Sequence, residues 1–181
     1  MAEDVNVRMR GVLLHGGGTL RKLIALIFIL QVVLSGCALR GHGGSSANQR
    51  AERLAIEKGK LSQTTDPVAQ TQSYIVISDI LLSFAADAAA DKAYEDFREL
   101  LNQYRQTIRT ARETIVKSEI VPSRGTRIYS DFGSALGRQV QTLQDLRKKL
   151  SVSDQGPIDQ AIQIASSIRE EMSNMRSRAT D

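Results

Sequence analysis

The chain has 181 residues, with 24 basic and 20 acidic side chains, a formal net charge of +4, 4% aromatic residues and one cysteine. Charges of both signs are interleaved and stacking aromatics are few, which argues against nucleic acid as a partner, since such binders cluster basic residues on one face. A single cysteine excludes an intrachain disulfide, and the length suits one domain with a real core.

The first element is an apolar run at 23–34, broken only by Gln31, preceded by Arg21-Lys22 and followed by small residues. A basic n-region, a short apolar h-region and small residues at the cut define a secretory signal peptide. The run falls short of the about 20 apolar residues that a spanning helix needs. Gly16-Gly17-Gly18 before it and Ser35-Gly36 after it prevent its extension. Its ending, Leu34-Ser35-Gly36-Cys37, resembles the lipobox of bacterial lipoproteins. The resemblance implies recognition of Leu34, Ser35 and Gly36 by the signal peptidase, cleavage between Gly36 and Cys37, and lipidation of Cys37 with N-acylation of the new terminus. In Gram-negative lipoproteins the residue after the cysteine steers sorting. Ala38 at that place implies an outer-membrane anchor facing the periplasm. More than one acyl chain is enough for stable anchoring. The stretch 1–20 is long for an n-region and carries Glu3 and Asp4, so Met9 makes a more ordinary start than Met1.

The segment 1–36 takes with it Arg8, Arg10, Arg21 and Lys22 as well as Glu3 and Asp4, leaving the mature chain nearly balanced in charge. Residues 37–46, with Gly41-His42-Gly43-Gly44-Ser45-Ser46, read as a flexible tether of the Gly/Ser type. The next stretch, 47–61, has a weak helical pattern at Ala51, Leu54 and Leu61 and reads as a peripheral helix.

Punctuation then divides the chain. Asp66-Pro67 is a helix start, with an N-cap and proline at the first helical position. Val121-Pro122-Ser123-Arg124-Gly125 and Ser153-Asp154-Gln155-Gly156-Pro157 are turns. Between them apolar residues recur at spacings of three and four: Tyr94, Phe97, Leu101, Tyr104, Ile108, Ala111 and Ile115; then Tyr129, Phe132, Leu136, Leu143, Leu146 and Leu150, with Gln139 the one polar slot; then Ile158, Ala161, Ala165, Ile168, Met172 and Met175. These are seams of amphipathic helices.

No glycine or proline interrupts 68–117, which leaves open one long helix over 67–118 or two. Charge order favours two, because Asp91, Glu95, Asp96 and Glu99 precede Arg105, Arg109, Arg112 and Lys117, the order that a helix dipole rewards in a helix starting near Asp91. The segment 75–90 is apolar nearly all round and demands burial against more than one neighbour. The expectation is an all-α antiparallel bundle of four main helices at 67–87, 91–118, 126–150 and 157–178, running up-down-up-down, plus the peripheral N-terminal helix. The domain division is 1–36 signal peptide, 37–46 lipidated cysteine and tether, and 47–181 a single helical domain.

The chemistry is sparse. Both histidines, His15 and His42, and Cys37 precede the helical domain. This removes Ser-His-Asp and Cys-His arrangements, the usual zinc sites and the Glu-x-x-His pairs of di-iron bundles. No phosphate-binding glycine loop is present. Asp87, Asp91, Glu95 and Glu99, spaced by four, would share one helix face. A calcium site would need a ligand loop with backbone carbonyls, so a solvated or ion-paired face is expected instead. Asp79 lies within an apolar stretch and calls for a partner, an arginine of a neighbouring helix being expected. Tyr94, Tyr104 and Tyr129 read as core residues. The expected function is a non-enzymatic, lipid-anchored envelope module, structural or protein-binding, without catalytic residues, metal or cofactor. Its partners would be the membrane and a helical protein or a second copy of itself, since helical seams also join chains. A carrier of a small apolar ligand, its cavity lined by Met172, Met175 and the alanines of 85–90, is the alternative.

Overall fold

The computed structural model describes residues 44–118 and 122–178. The lipobox Leu34-Ser35-Gly36-Cys37 and the segment before it lie outside these residues. Among the described residues there are five α-helices and no strand: α1 (Gly44–Gln63), α2 (Pro67–Ala90), α3 (Tyr94–Lys117), α4 (Pro122–Arg147) and α5 (Gly156–Arg178), with a 3-10 turn at Val152–Asp154 before α5. The all-α bundle expected from the apolar seams is present. Helix α1 starts at Gly44, so the last three residues of the expected tether belong to it, and the guanidinium of Arg50 donates back to the Ser46 carbonyl at 3.3 Å.

Helix α2 starts as its sequence dictates. Asp66 is the N-cap, its carboxylate accepting from the Val68 and Ala69 amides at 3.4 and 3.2 Å, and Pro67 fills the first position, where no amide hydrogen is needed. Its end settles the choice between one helix and two. Lys92 adopts a left-handed φ of 58°, the only positive φ outside glycine among the described residues. The Ala93 amide donates to the Ala88 carbonyl at 2.8 Å and the Lys92 amide to the Ala89 carbonyl at 3.2 Å. This pair of bonds closes a helix in the Schellman manner, with lysine where glycine is usual. Helix α3 then begins with Glu95 and Asp96 in its first turn, on the side that the dipole favours.

Helices α2 and α3 form one antiparallel hairpin and α4 and α5 another; α2 packs on α4, α3 on α5, and α1 lies on α2. Arg105 reaches Gln160 and Arg112 reaches Glu171, so α3 and α5 run parallel. A Cβ at Gly133 would meet Met172 and one at Gly137 would meet Arg169, which fixes α4 and α5 as antiparallel. The closely packed pairs thus run in a ring α2–α3–α5–α4, and the consecutive helices α3 and α4 occupy opposite corners.

The seams point inward. Phe97, Leu101, Tyr104, Ile108, Ala111 and Ile115 are buried, as are Phe132, Leu136, Leu143 and Leu146, and Ile158, Ala161, Ala165, Ile168 and Met172. Tyr129, Leu150 and Met175 pack half-buried at the margins, Tyr94 is half-buried at the start of α3 rather than in the core, and Ile128, Ala135 and Val140 join the core. Helix α2 is, among the described residues, the one long and apolar enough by length and composition to cross a membrane. Here its apolar surface is divided among α1, α3 and α4, which meets the demand set by its all-round apolarity.

Candidate functional site

Three polar arrangements stand out against this core. The first is buried. Gln139, 2% exposed on α4, donates from Nε2 to Ser78 Oγ and Asp79 Oδ1, both at 2.7 Å, and its Oε1 accepts from the Tyr104 hydroxyl at 3.1 Å. Ser78 Oγ donates to the Ile75 carbonyl at 2.8 Å. Three helices are tied at one level by groups that satisfy one another, which is what makes burying them tolerable. Burial, with the Asp79 charge adding to it, pushes the Tyr104 phenol above its ordinary range. It therefore stays a donor and does not act as a base.

Asp79 corrects an expectation. It is exposed and its partner is the Gln139 amide, not an arginine. It lies seven residues after the exposed Gln72, on the narrow stripe of α2 left open to solvent, with Oδ1 receiving the amide.

The second arrangement joins α1 to α2. Arg50 donates to Asp87 at 2.6 Å and to Ser83, with its guanidinium 5.0 Å above the Phe84 ring. Further along, Glu57 is 7% exposed and its carboxylate accepts from Lys60 at 2.7 Å, which holds its pKa below the ordinary value. These contacts also redistribute the acidic stripe. The turn at Lys92 places Asp87 on α2, Asp91 at its cap and Glu95 and Glu99 on α3, so the four do not share a helix face. Asp87 pairs with Arg50, Glu95 with Arg98 at 2.8 Å, and Glu99 accepts from Gln103 at 3.0 Å. No group of three or more metal-ligating side chains occurs among the described residues.

The third arrangement is an open groove of about 660 Å³ between the parallel helices α3 and α5. Arg105, Arg109 and Arg112, at spacings of four and three, line one wall, facing Gln160, Gln163, Ser167 and Glu171. Arg105 bonds Gln160 at one end. At the other, Arg112 makes a two-pronged ion pair with Glu171, both contacts at 2.7 Å, which lowers the pKa of Glu171 against the opposing effect of burial. Arg109 is exposed between them. Arg105 Nε is buried without a partner among the described residues. The arrangement suits recognition of carboxylate-bearing groups. The spacing of the three arginines was visible in the sequence as the basic half of α3. What the sequence did not carry was that α5, rather than α4, supplies the facing wall.

Of the residues expected to line a ligand cavity, Met172 is wholly buried against the core and Met175 packs half-buried on it. Neither they nor the alanines of 85–90 line this groove or the smaller depression between α1 and α2. Cys37, Leu34, Ser35 and Gly36 lie outside the described residues. Set against protein-family models, curated proteins and solved structures, the chain finds no match.

Proposed function

We propose that the chain is a lipid-anchored protein of the bacterial envelope whose helical bundle serves as a non-enzymatic structural or protein-interaction module. The observation that carries this reading is Leu34-Ser35-Gly36-Cys37 directly after a short apolar run. Ala38 then favours the outer membrane, with the domain facing the periplasm. The interaction half draws support from the α3/α5 groove. Its exposed Arg109, between the engaged Arg105 and Arg112 and with Gln163 and Ser167 alongside as further hydrogen-bonding groups, suits acidic side chains of a protein partner. The helical domain contains no histidine and no cysteine, so imidazole-based nucleophile activation and the usual zinc ligand sets have no residues to use.

The test is site-specific photocrosslinking in the native membrane from an unnatural residue at Gln163. A discrete crosslinked species that disappears with Arg109→Glu is the expected result. No species above background, or one indifferent to Arg109→Glu, would contradict the groove as the interaction surface.

A further inference from the structure

The covalent path from the lipid to the fold is short. Cys37 and Gly44, the first residue of α1, are separated by seven residue steps, which at the maximal extension of the chain span about 25 Å. The contacts of α1 identify the end of the bundle on which this path converges. Arg50 meets Asp87, close to the end of α2, and Glu57 and Lys60 lie beside Ala69 and Ser73 near its beginning, so α1 runs antiparallel to α2 and its start lies level with the turn at 91–93. Helix α4 runs parallel to α2, with Gln139 beside Ser78, so the 148–155 connection emerges at the same end. At the tip of that connection Val152 is 87% exposed, the most exposed large hydrophobic side chain among the described residues. The exposed Lys148 and Lys149 precede it, Lys148 held by Asp145 at 2.8 Å.

We infer that the end of the bundle formed by the 91–93 and 148–155 turns faces the bilayer, and that Val152, with Lys148 and Lys149 close by, touches its headgroup layer as a second membrane contact. The inference rests on the proposed acylation of Cys37. An apolar tip beside long cationic side chains is the composition that suits an interface, with the valine entering the headgroup–acyl boundary and the ammonium groups staying among the phosphates. Asp91, Glu95 and Asp96 lie at the same end, so its charge is mixed. The contact therefore depends on the apolar tip and on individual lysine–phosphate bonds rather than on attraction to a strongly anionic leaflet. The opposite end, with Val116 near the end of α3, points away from the membrane.

The chain contains no tryptophan, so a single introduced indole reports its own surroundings. Full-length acylated Val152→Trp is reconstituted into phosphatidylethanolamine–phosphatidylglycerol vesicles, and Val116→Trp serves as the reference at the far end. Both positions are exposed, so the larger side chain needs no space in the core. The expected result is a blue-shifted emission from the Val152→Trp protein, quenched by lipid brominated on its acyl chains, with the emission of the Val116→Trp protein unaffected. Unshifted emission from Val152→Trp protein that floats with the vesicles would overturn the contact while leaving the anchor intact. Quenching in the Val116→Trp protein alone would reverse the orientation and overturn the inference. Protein that does not float would remove the acylation on which the inference rests.

Discussion

Tyr104 and Gln139 stand on diagonally opposite helices, and the 3.1 Å hydrogen bond from the Tyr104 hydroxyl to Gln139 Oε1 crosses the middle of the bundle. With Ser78 and Asp79 bonded to the other end of the same amide, one side chain fixes the level of α2, α3 and α4 relative to one another. Gln139→Leu keeps most of the volume and strands the phenol, and is expected to cost about 1–3 kcal/mol, the penalty of a buried unpaired polar group. In the Tyr104→Phe/Gln139→Leu double variant both partners are apolar, so the loss is expected to be smaller than the sum of the two single losses. Denaturant titration of the four proteins checks this; strictly additive losses would contradict the diagonal tie.

The same bond predicts an alkaline limit. Burial raises the Tyr104 phenol above its ordinary value. A raised folded-state value means that the stabilisation is fully present below about pH 10, the unfolded tyrosine value, and is lost as pH rises further. Stability measured above pH 10 is expected to fall more steeply in the natural protein than in Tyr104→Phe.

At the acid end the Arg112–Glu171 pair acts in the opposite sense. Hydrogen bonding and charge from Arg112 hold the Glu171 carboxylate below its usual value. Its contribution is therefore present above the unfolded value of about 4.3 and is lost as pH falls through the lower folded value. The side chains are 39% and 33% exposed, so solvent screening keeps the pair below about 1 kcal/mol. Glu171→Gln should reduce stability by a few tenths of a kcal/mol to about 1 kcal/mol at pH 7 and flatten the acid slope of a pH-dependent thermal melt.

Lys92 carries the strain of the α2–α3 hairpin. A left-handed residue other than glycine costs roughly 1–2 kcal/mol, while glycine adds entropy to the unfolded chain worth about 0.4–1 kcal/mol. Lys92→Gly is expected to stabilise the protein by a net of about 0.5–1 kcal/mol, read as a higher denaturation midpoint with an unchanged slope. Lys92→Val, which disfavours this φ further, should destabilise it.

The fold was largely legible because its signals are periodic. The spacings through Phe97, Leu101 and Tyr104, through Phe132, Leu136 and Leu143, and through Ile158, Ala161 and Ala165 each named a buried face. The break between α2 and α3 was legible only through charge order, because a lysine makes the left-handed turn that glycine usually announces. The exposure of Asp79 was not legible, because an apolar neighbourhood in sequence does not reveal which stripe of a helix its neighbours leave uncovered. Gln139 showed in the sequence as the one polar slot of its seam, but its partners are 35 and about 60 residues away, and nothing local specifies them. The groove was hidden for the same reason: which helix lies beside Arg109 is decided by the diagonal placement of α3 and α4, a property of the assembled bundle.

Acylation of the Cys37 sulfur is decided by mass spectrometry of the N-terminal peptide of the protein recovered from its native membrane. The expected peptide begins at Cys37, with fatty-acyl mass on both its thioether-linked lipid and its amino group. Conversion of Cys37 to Ala should leave the protein unprocessed and unacylated. A peptide beginning upstream of Cys37 with a free thiol, on protein recovered from the cytosol, would contradict it.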